Sequence, residues 1–208
     1  DKIFGPGNQF VTVAKQLVNK SGVAIDMPAG PSEVMVVADS SANAEFIAAD
    51  LLSQAEHGAD SQVMLLTMDE GLLTEVQEAI KEQLQNLPRK DIATRCLENS
   101  TMILLNTMDE MLEMVNEYAP EHLIVALAEA VEFSSGVINS GSVFLGNYSP
   151  EAVGDYASGT NHTLPTNGAA RAYSGVSVDS FVKKITFQKI TREGLRNIGP
   201  AVEIMAEA

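Results

Sequence analysis

The side chains best suited to chemistry fall in four places along the chain. Gln54-Ala-Glu-His57 closes a helical stretch, and a spacing of three puts Gln54 and His57 on one helix face. Imidazole is the commonest side-chain metal ligand, and an amide oxygen is an unusual but possible one. Pro120-Glu121-His122 stands just before an apolar run. Neighbours in an extended chain point to opposite sides, but a loop can aim both into a cleft as two proton acceptors of different basicity. Asp155 and His162, seven apart, supply a carboxylate and an imidazole that could complete a metal site. The opening Gly5-Pro6-Gly7-Asn8 precedes a stretch with Phe10, Val13, Ala14 and Leu17 on one helical face. With Asn8 as N-cap and glycines clearing the backbone N–H groups, that loop suits a dinucleotide's phosphates.

Three of these places, those of His57, of Glu121 and His122, and of the opening loop, have a plainer reading beside them. These are a histidine interacting with a helix dipole, a surface Glu beside a half-buried His, and an ordinary tight turn. The joint placement of His57, His122 and His162, close after a strand or at a helix end, says more than any one of them. It reaches as far as a metal or acid–base enzyme and stops there.

The elements that must position these residues alternate. Val34 to Ala38, Gln62 to Leu66, Met102 to Leu105, Leu123 to Ala126 and Val143 to Leu145 are short apolar runs, the pattern of strands buried on both faces. Between them lie helical periods. One is capped by Asn43 and runs through about Gly58, with Phe46, Ile47, Leu51 and Ala55 on its apolar stripe and Gly58 at C′. Others run from about Asp69 to Leu87 (stopped by Pro88), through Ile92 and Cys96, from Met108 to Tyr118, and from Ala128 to Ser134. This alternation predicts an α/β fold, a mostly parallel doubly wound sheet with helices on both faces. Ligands in such sheets sit beyond the carboxyl ends of the strands. From Gly146 to about Ser180 the composition shifts to Gly, Ser, Thr, Asn and Pro, which predicts a long functional loop. A possible strand at Ile185 to Ile190 and a helix from Thr191 follow as a C-terminal extension. The acidic run Asp109, Glu110, Glu113 and Glu117 reads as a solvated helix face, and Met64, Met102 and Met205 as core filling.

Composition narrows the class. The 208 residues are 45% hydrophobic and carry a formal charge of -15, a field that repels nucleic-acid backbones and anionic membrane surfaces. The single cysteine, Cys96, rules out an internal disulfide and fits a reducing compartment. The absence of a long apolar run or of a secretory pattern leaves a cytoplasmic location as the expectation. The chain opens on Asp1, three residues before a glycine-rich loop, as expected of a piece of a longer chain.

Six blocks together carry a resemblance. They are Phe4-Gly-Pro-Gly-Asn8, Asp26-Met-Pro-Ala-Gly-Pro-Ser-Glu33, Asp50-Leu-Leu-Ser-Gln-Ala-Glu-His-Gly58, Tyr118-Ala-Pro-Glu-His-Leu123, Ser140-Gly-Ser-Val-Phe-Leu-Gly146 and Gly154-Asp-Tyr-Ala-Ser-Gly-Thr-Asn-His-Thr-Leu-Pro165. In this order, across nearly the whole chain, they resemble the histidinol dehydrogenase family. The resemblance implies NAD-dependent oxidation of L-histidinol through the aldehyde to L-histidine, with zinc anchoring the substrate, in a cytoplasmic homodimer. It implies Gln54, His57 and Asp155 as zinc ligands and Asn8 as an NAD contact. Glu121 and His122 become the acid–base pair, His122 taking the hydroxyl proton and Glu121 activating the water that adds to the aldehyde. Ser32, Gln54, His57, His122, Asp155 and His162 become the substrate-binding set. Residues 1–33 are then the end of an NAD-binding domain, 34–175 an α/β domain carrying the site, and 176–208 a truncated C-terminal extension.

The family also has an N-terminal part completing the NAD site. It has a C-terminal tail as well, which brings a fourth zinc ligand and a substrate-binding Glu to the partner subunit. Neither is matched in this chain, so the piece alone is expected to be inactive. Two other readings stay open. A zinc hydrolase or lyase would use Glu121 as base and show no NAD dependence, though the chain has no HExxH helix. A non-catalytic piece would bind no histidinol.

Overall fold

The computed structural model describes residues 2–5, 9–28 and 30–207. The chain divides into two compact units, residues 1–177 and residues 178–208.

In the first unit, strands β1 (Lys2–Ile3) and β2 (Ala24–Ile25) pair in parallel around helix α1 (Gln9–Lys20). Then come β3 (Glu33–Ala38), α2 (Ala44–Ala55), β4 (Gln62–Thr67), α3 (Glu70–Leu84), α4 (Lys90–Leu97) and β5 (Thr101–Leu104). They are followed by α5 (Met108–Tyr118), β6 (His122–Ala126), α6 (Ala130–Ser134), β7 (Ser142–Leu145) and α7 (Glu151–Tyr156). The five later strands form one wholly parallel sheet in the order β5-β4-β3-β6-β7. Every residue of β3 and β6 is buried, as expected for central strands covered on both faces.

Strand alternation sorts the core into two layers. Val34, Val36, Ala38, Ile124 and Ala126 pack against Ile47, Leu51, Val76 and Cys96 from α2, α3 and α4. Met35, Val37, Leu123 and Val125 pack against Met111, Val115 and Ala130 from α5 and α6. The expected doubly wound parallel sheet is therefore the fold.

The caps explain where helices begin. Asn43 Oδ1 accepts from the N–H groups of Glu45 and Phe46, and Asp69 Oδ1 from those of Gly71 and Leu72. Thr107 and Glu110 close a full capping box on α5.

Several expectations need correction. Gly58 is not at C′: α2 ends at Ala55 with Glu56 as a right-handed cap, so His57 leaves the helix directly. Helix α3 stops at Leu84, three residues before the expected end. Phe46 is 46% exposed because it lies beyond the stripe that Ile47, Leu51 and Ala55 turn inward. Phe10, Val13 and Leu17 of α1 are exposed as well. Within the expected loop after Gly146, residues 151–156 form α7.

In the second unit, a 3-10 turn (Val178–Phe181) precedes helix α8 (Arg192–Glu207). Ile185 to Ile190 is not a strand, since a strand needs a partner backbone and none pairs with it among the described residues. Met205, expected in the core, is exposed on α8. No helix of the described residues is long and apolar enough to cross a membrane.

Candidate active site

His122 begins β6 with Glu121 just before it, and Glu33 begins β3, the strand beside it, with Ser32 just before that. Strand order turns in opposite directions from this pair, with β4 and β5 on one side and β7 on the other. Such a switch point is where open α/β sheets bind ligands, but at the carboxyl edge. Here the candidate residues gather at the amino edge, which overturns the expected side. The reason is connectivity: His57 stands after a helix and before a strand, and so does His122. In a parallel sheet the carboxyl end of every crossover helix returns to the amino edge.

The plain reading of Glu121 as a surface carboxylate also fails. Glu121 is 4% and His122 2% exposed. One residue serves both: the Glu33 N–H donates to Glu121 Oε2 (3.0 Å), and the Glu33 carbonyl lies 3.2 Å from His122 Nδ1. A carbonyl can only accept, so Nδ1 carries the proton and Nε2 keeps its lone pair. That Nε2 is buried without a hydrogen-bond partner, 4.0 Å from both Glu151 Oε1 and Asp155 Oδ1. Glu121 Oε2 lies 3.7 Å from His122 Nδ1, so these neighbours do converge. Gly141 lets the chain entering β7 pass against the Glu121 backbone, because a Cβ there would stand 2.5 Å from the Glu121 carbonyl oxygen.

Burial sets the proton affinities. It pushes the Glu121 carboxyl up to about 8; the Glu33 N–H opposes the rise, while the charges of Glu33 and Asp155 add to it. Burial lowers His122, partly offset by the Glu33 carbonyl and Asp155. The imidazole thus stays neutral, and able to accept a proton, to a lower pH than an ordinary histidine.

The remaining candidates line the same region. Gln54 is fully buried at the end of α2, its Nε2 3.4 Å from His57 Nδ1, and His57 is close enough that its charge lowers His122. Asp155 on α7 has a nearly buried side chain and bonds His162 Nδ1 at 2.6 Å, whereas the His162 ring is largely exposed. Asn8 lies outside the described residues. Gly5, at the start of its loop, is held by Asp26 Oδ2 and by Lys15, which is ion-paired with Asp26.

Two acids were not anticipated. Glu151 is 1% exposed; its Oε2 accepts from Ser53 Oγ, its N–H donates to Asp50, and its Oε1 has no partner. Burial and the neighbouring Asp155 raise its proton affinity. The spacing of four between Glu151 and Asp155, after Pro150, was the available signal for one helix face. The other is Glu33, at the start of the apolar run of β3.

His122, Glu151 and Asp155 bring ligand atoms within 4.8 Å of one another, and Gln54 Oε1 is likewise buried without a partner. A nitrogen-and-oxygen donor set with orphaned acceptors fits a divalent cation such as zinc.

Comparison with known proteins agrees with this constellation. The family model described as Histidinol dehydrogenase matches residues 1–208. The chain is similar to the histidinol dehydrogenase of Bacteroides thetaiotaomicron, 65% identical over 205 residues that cover 99% of this chain and 48% of that protein. It is similar to the histidine biosynthesis trifunctional protein of Saccharomyces bayanus, 56% identical over 212 residues covering 100% of this chain and 26% of that protein. The crystal structure of histidinol dehydrogenase from Elizabethkingia anophelis superposes with a TM-score of 0.96 at 62% identity, covering 100% of this chain and 48% of that one. The chain spans about half the length of the bacterial relatives it matches. With the family model matching from end to end, the chain belongs to the histidinol dehydrogenase family.

Proposed function

We propose that the protein containing this chain oxidises L-histidinol through the aldehyde to L-histidine, the last step of histidine biosynthesis. The observation that carries this reading is the buried pair at the amino edge: a neutral imidazole with a free Nε2 beside a carboxylate of raised proton affinity. Oxidising an alcohol to an acid needs both. His122 takes the hydroxyl proton at Nε2 in the first oxidation. Glu121, once ionised, takes a proton from the water that adds to the aldehyde.

NAD supplies the hydride acceptor, and zinc supplies a fixed anchor for the substrate's imidazole and amine. Gln54, His57 and Asp155 would hold the metal; Ser32 and His162 would complete the substrate pocket, and Asn8 would contact NAD. On this reading residues 1–33 close an NAD-binding domain, 34–175 carry the site, and 176–208 form a C-terminal extension. The working unit is a cytoplasmic homodimer with a site shared between subunits. The relatives' names and the dehydrogenase match over the whole chain support it, as does Asp155 belonging to a group that could hold a metal. Formation of NADH from histidinol by the full-length, zinc-supplemented protein is the test. No NADH under those conditions overturns the proposal.

A further inference from the structure

Glu33 is the residue on which the two sides of the pair meet, and no role has been assigned to it so far. Its backbone N–H reaches Glu121 and its carbonyl reaches His122. These contacts span 88 and 89 positions of chain, so they depend on where the start of β3 stands. Its side chain points to the opposite layer from His122, because residues 33, 35 and 37 alternate with the face that carries Val34 and Val36.

There the backbone N–H groups of Asn167 and Glu121 both favour the charged carboxylate, against its burial. Oε1 accepts the N–H of Asn167 (2.9 Å), at a turn whose Asn167 and Gly168 have φ of 55° and 71°. The same turn ties back a second time, Thr166 Oγ1 accepting the N–H of Gly30, just before β3. Oε2 has no partner, although the residue is 7% exposed. A carboxylate buried against neutral backbone donors alone, with one oxygen unpartnered, is costly compared with an amide or an apolar side chain. Plain packing therefore does not account for a charged, full-length Glu here.

We propose that Glu33 is a positioning residue: its side chain, by reaching the Asn167 N–H, locks the Glu33 backbone in the place from which its N–H orients Glu121 and its carbonyl fixes the His122 tautomer. Reach, not charge, is what the geometry requires. Glu33→Gln keeps an oxygen at the same distance, and Glu33→Asp keeps the charge but falls one methylene short.

Two readouts on the full-length protein test this, and only the first rests on the proposed function. In the first, E33D lowers kcat for histidinol about tenfold, on the scale of losing an outer-shell contact, with KM close to the parent value. E33Q retains the parent kcat within about threefold under the same logic. In the second, 15N shifts of histidine-labelled protein report the His122 tautomer. Nδ1 stays protonated in the parent and E33Q, and the tautomers become mixed in E33D. If the parent forms no NADH, the functional proposal fails and the tautomer experiment still decides. An E33D variant with the parent tautomer overturns the positioning role, and so does E33Q behaving worse than E33D, which would make charge the operative property.

Discussion

The two halves of the candidate site are built in opposite ways. Glu121 and His122 stand at the start of a central strand, nearly sealed from water, each held by a backbone group of Glu33. His57 and His162 stand where a helix has just ended and in an irregular loop, and both are exposed; their contacts are to Gln54 and Asp155. The sheet supplies fixed geometry and a low dielectric, which is what moves proton affinities and keeps a base in one tautomer. The loops supply access, which ligand exchange demands. On the proposed function, proton handling belongs to the first half and ligand capture to the second.

Substitutions can break that division. His122→Ala should have the largest effect, lowering kcat by the ~10²–10⁴-fold that a positioned base contributes while zinc content stays normal. Metal analysis of the purified variant checks this, and loss of zinc along with activity would merge the two halves. His57→Ala should do the converse: weaker zinc retention by at least the ~10–100-fold that losing even an outer-shell partner costs, with a raised KM. Equilibrium dialysis of the metal and steady-state kinetics read both.

The pH dependence sharpens the same contrast. Glu121 is a base only when ionised, and burial raises it from an ordinary 4.5 to about 8, so aldehyde oxidation should climb as pH rises through about 8. For stability the sign is opposite. A carboxyl raised on folding stabilises fully below 4.5, and that contribution is lost as pH rises through about 8. Glu121→Gln should flatten both profiles. Gly141→Ala forces a methyl 2.5 Å from the Glu121 carbonyl and should cost about 1–3 kcal/mol in a denaturant titration, with activity falling too. At the other edge of the sheet, Asn43→Ala removes the α2 cap and should cost about 1 kcal/mol with kcat unchanged.

Much of the frame was legible in the sequence. The apolar runs at 34–38, 62–66, 102–105, 123–126 and 143–145 all contain or lie within one residue of strands, because a strand covered on both faces has no polar face to disguise it. The cap at Asn43 was equally local. Helix α7 was missed because six residues hold barely more than one turn, too short for a period to register. The run at 185–190 misled because alternation alone does not supply a partner strand.

The sequence by itself determined most of the elements, their order and, through its motif blocks, the family and the candidate residues. Tertiary structure alone decided that they meet at the amino edge, that Glu121 and His122 are buried, and that Glu33 and Glu151 join them. The physical reason is range. Caps and periodicity act over a few residues. The bonds that build the site join positions 88 to 134 apart, and they exist only once parallel strands have set their register.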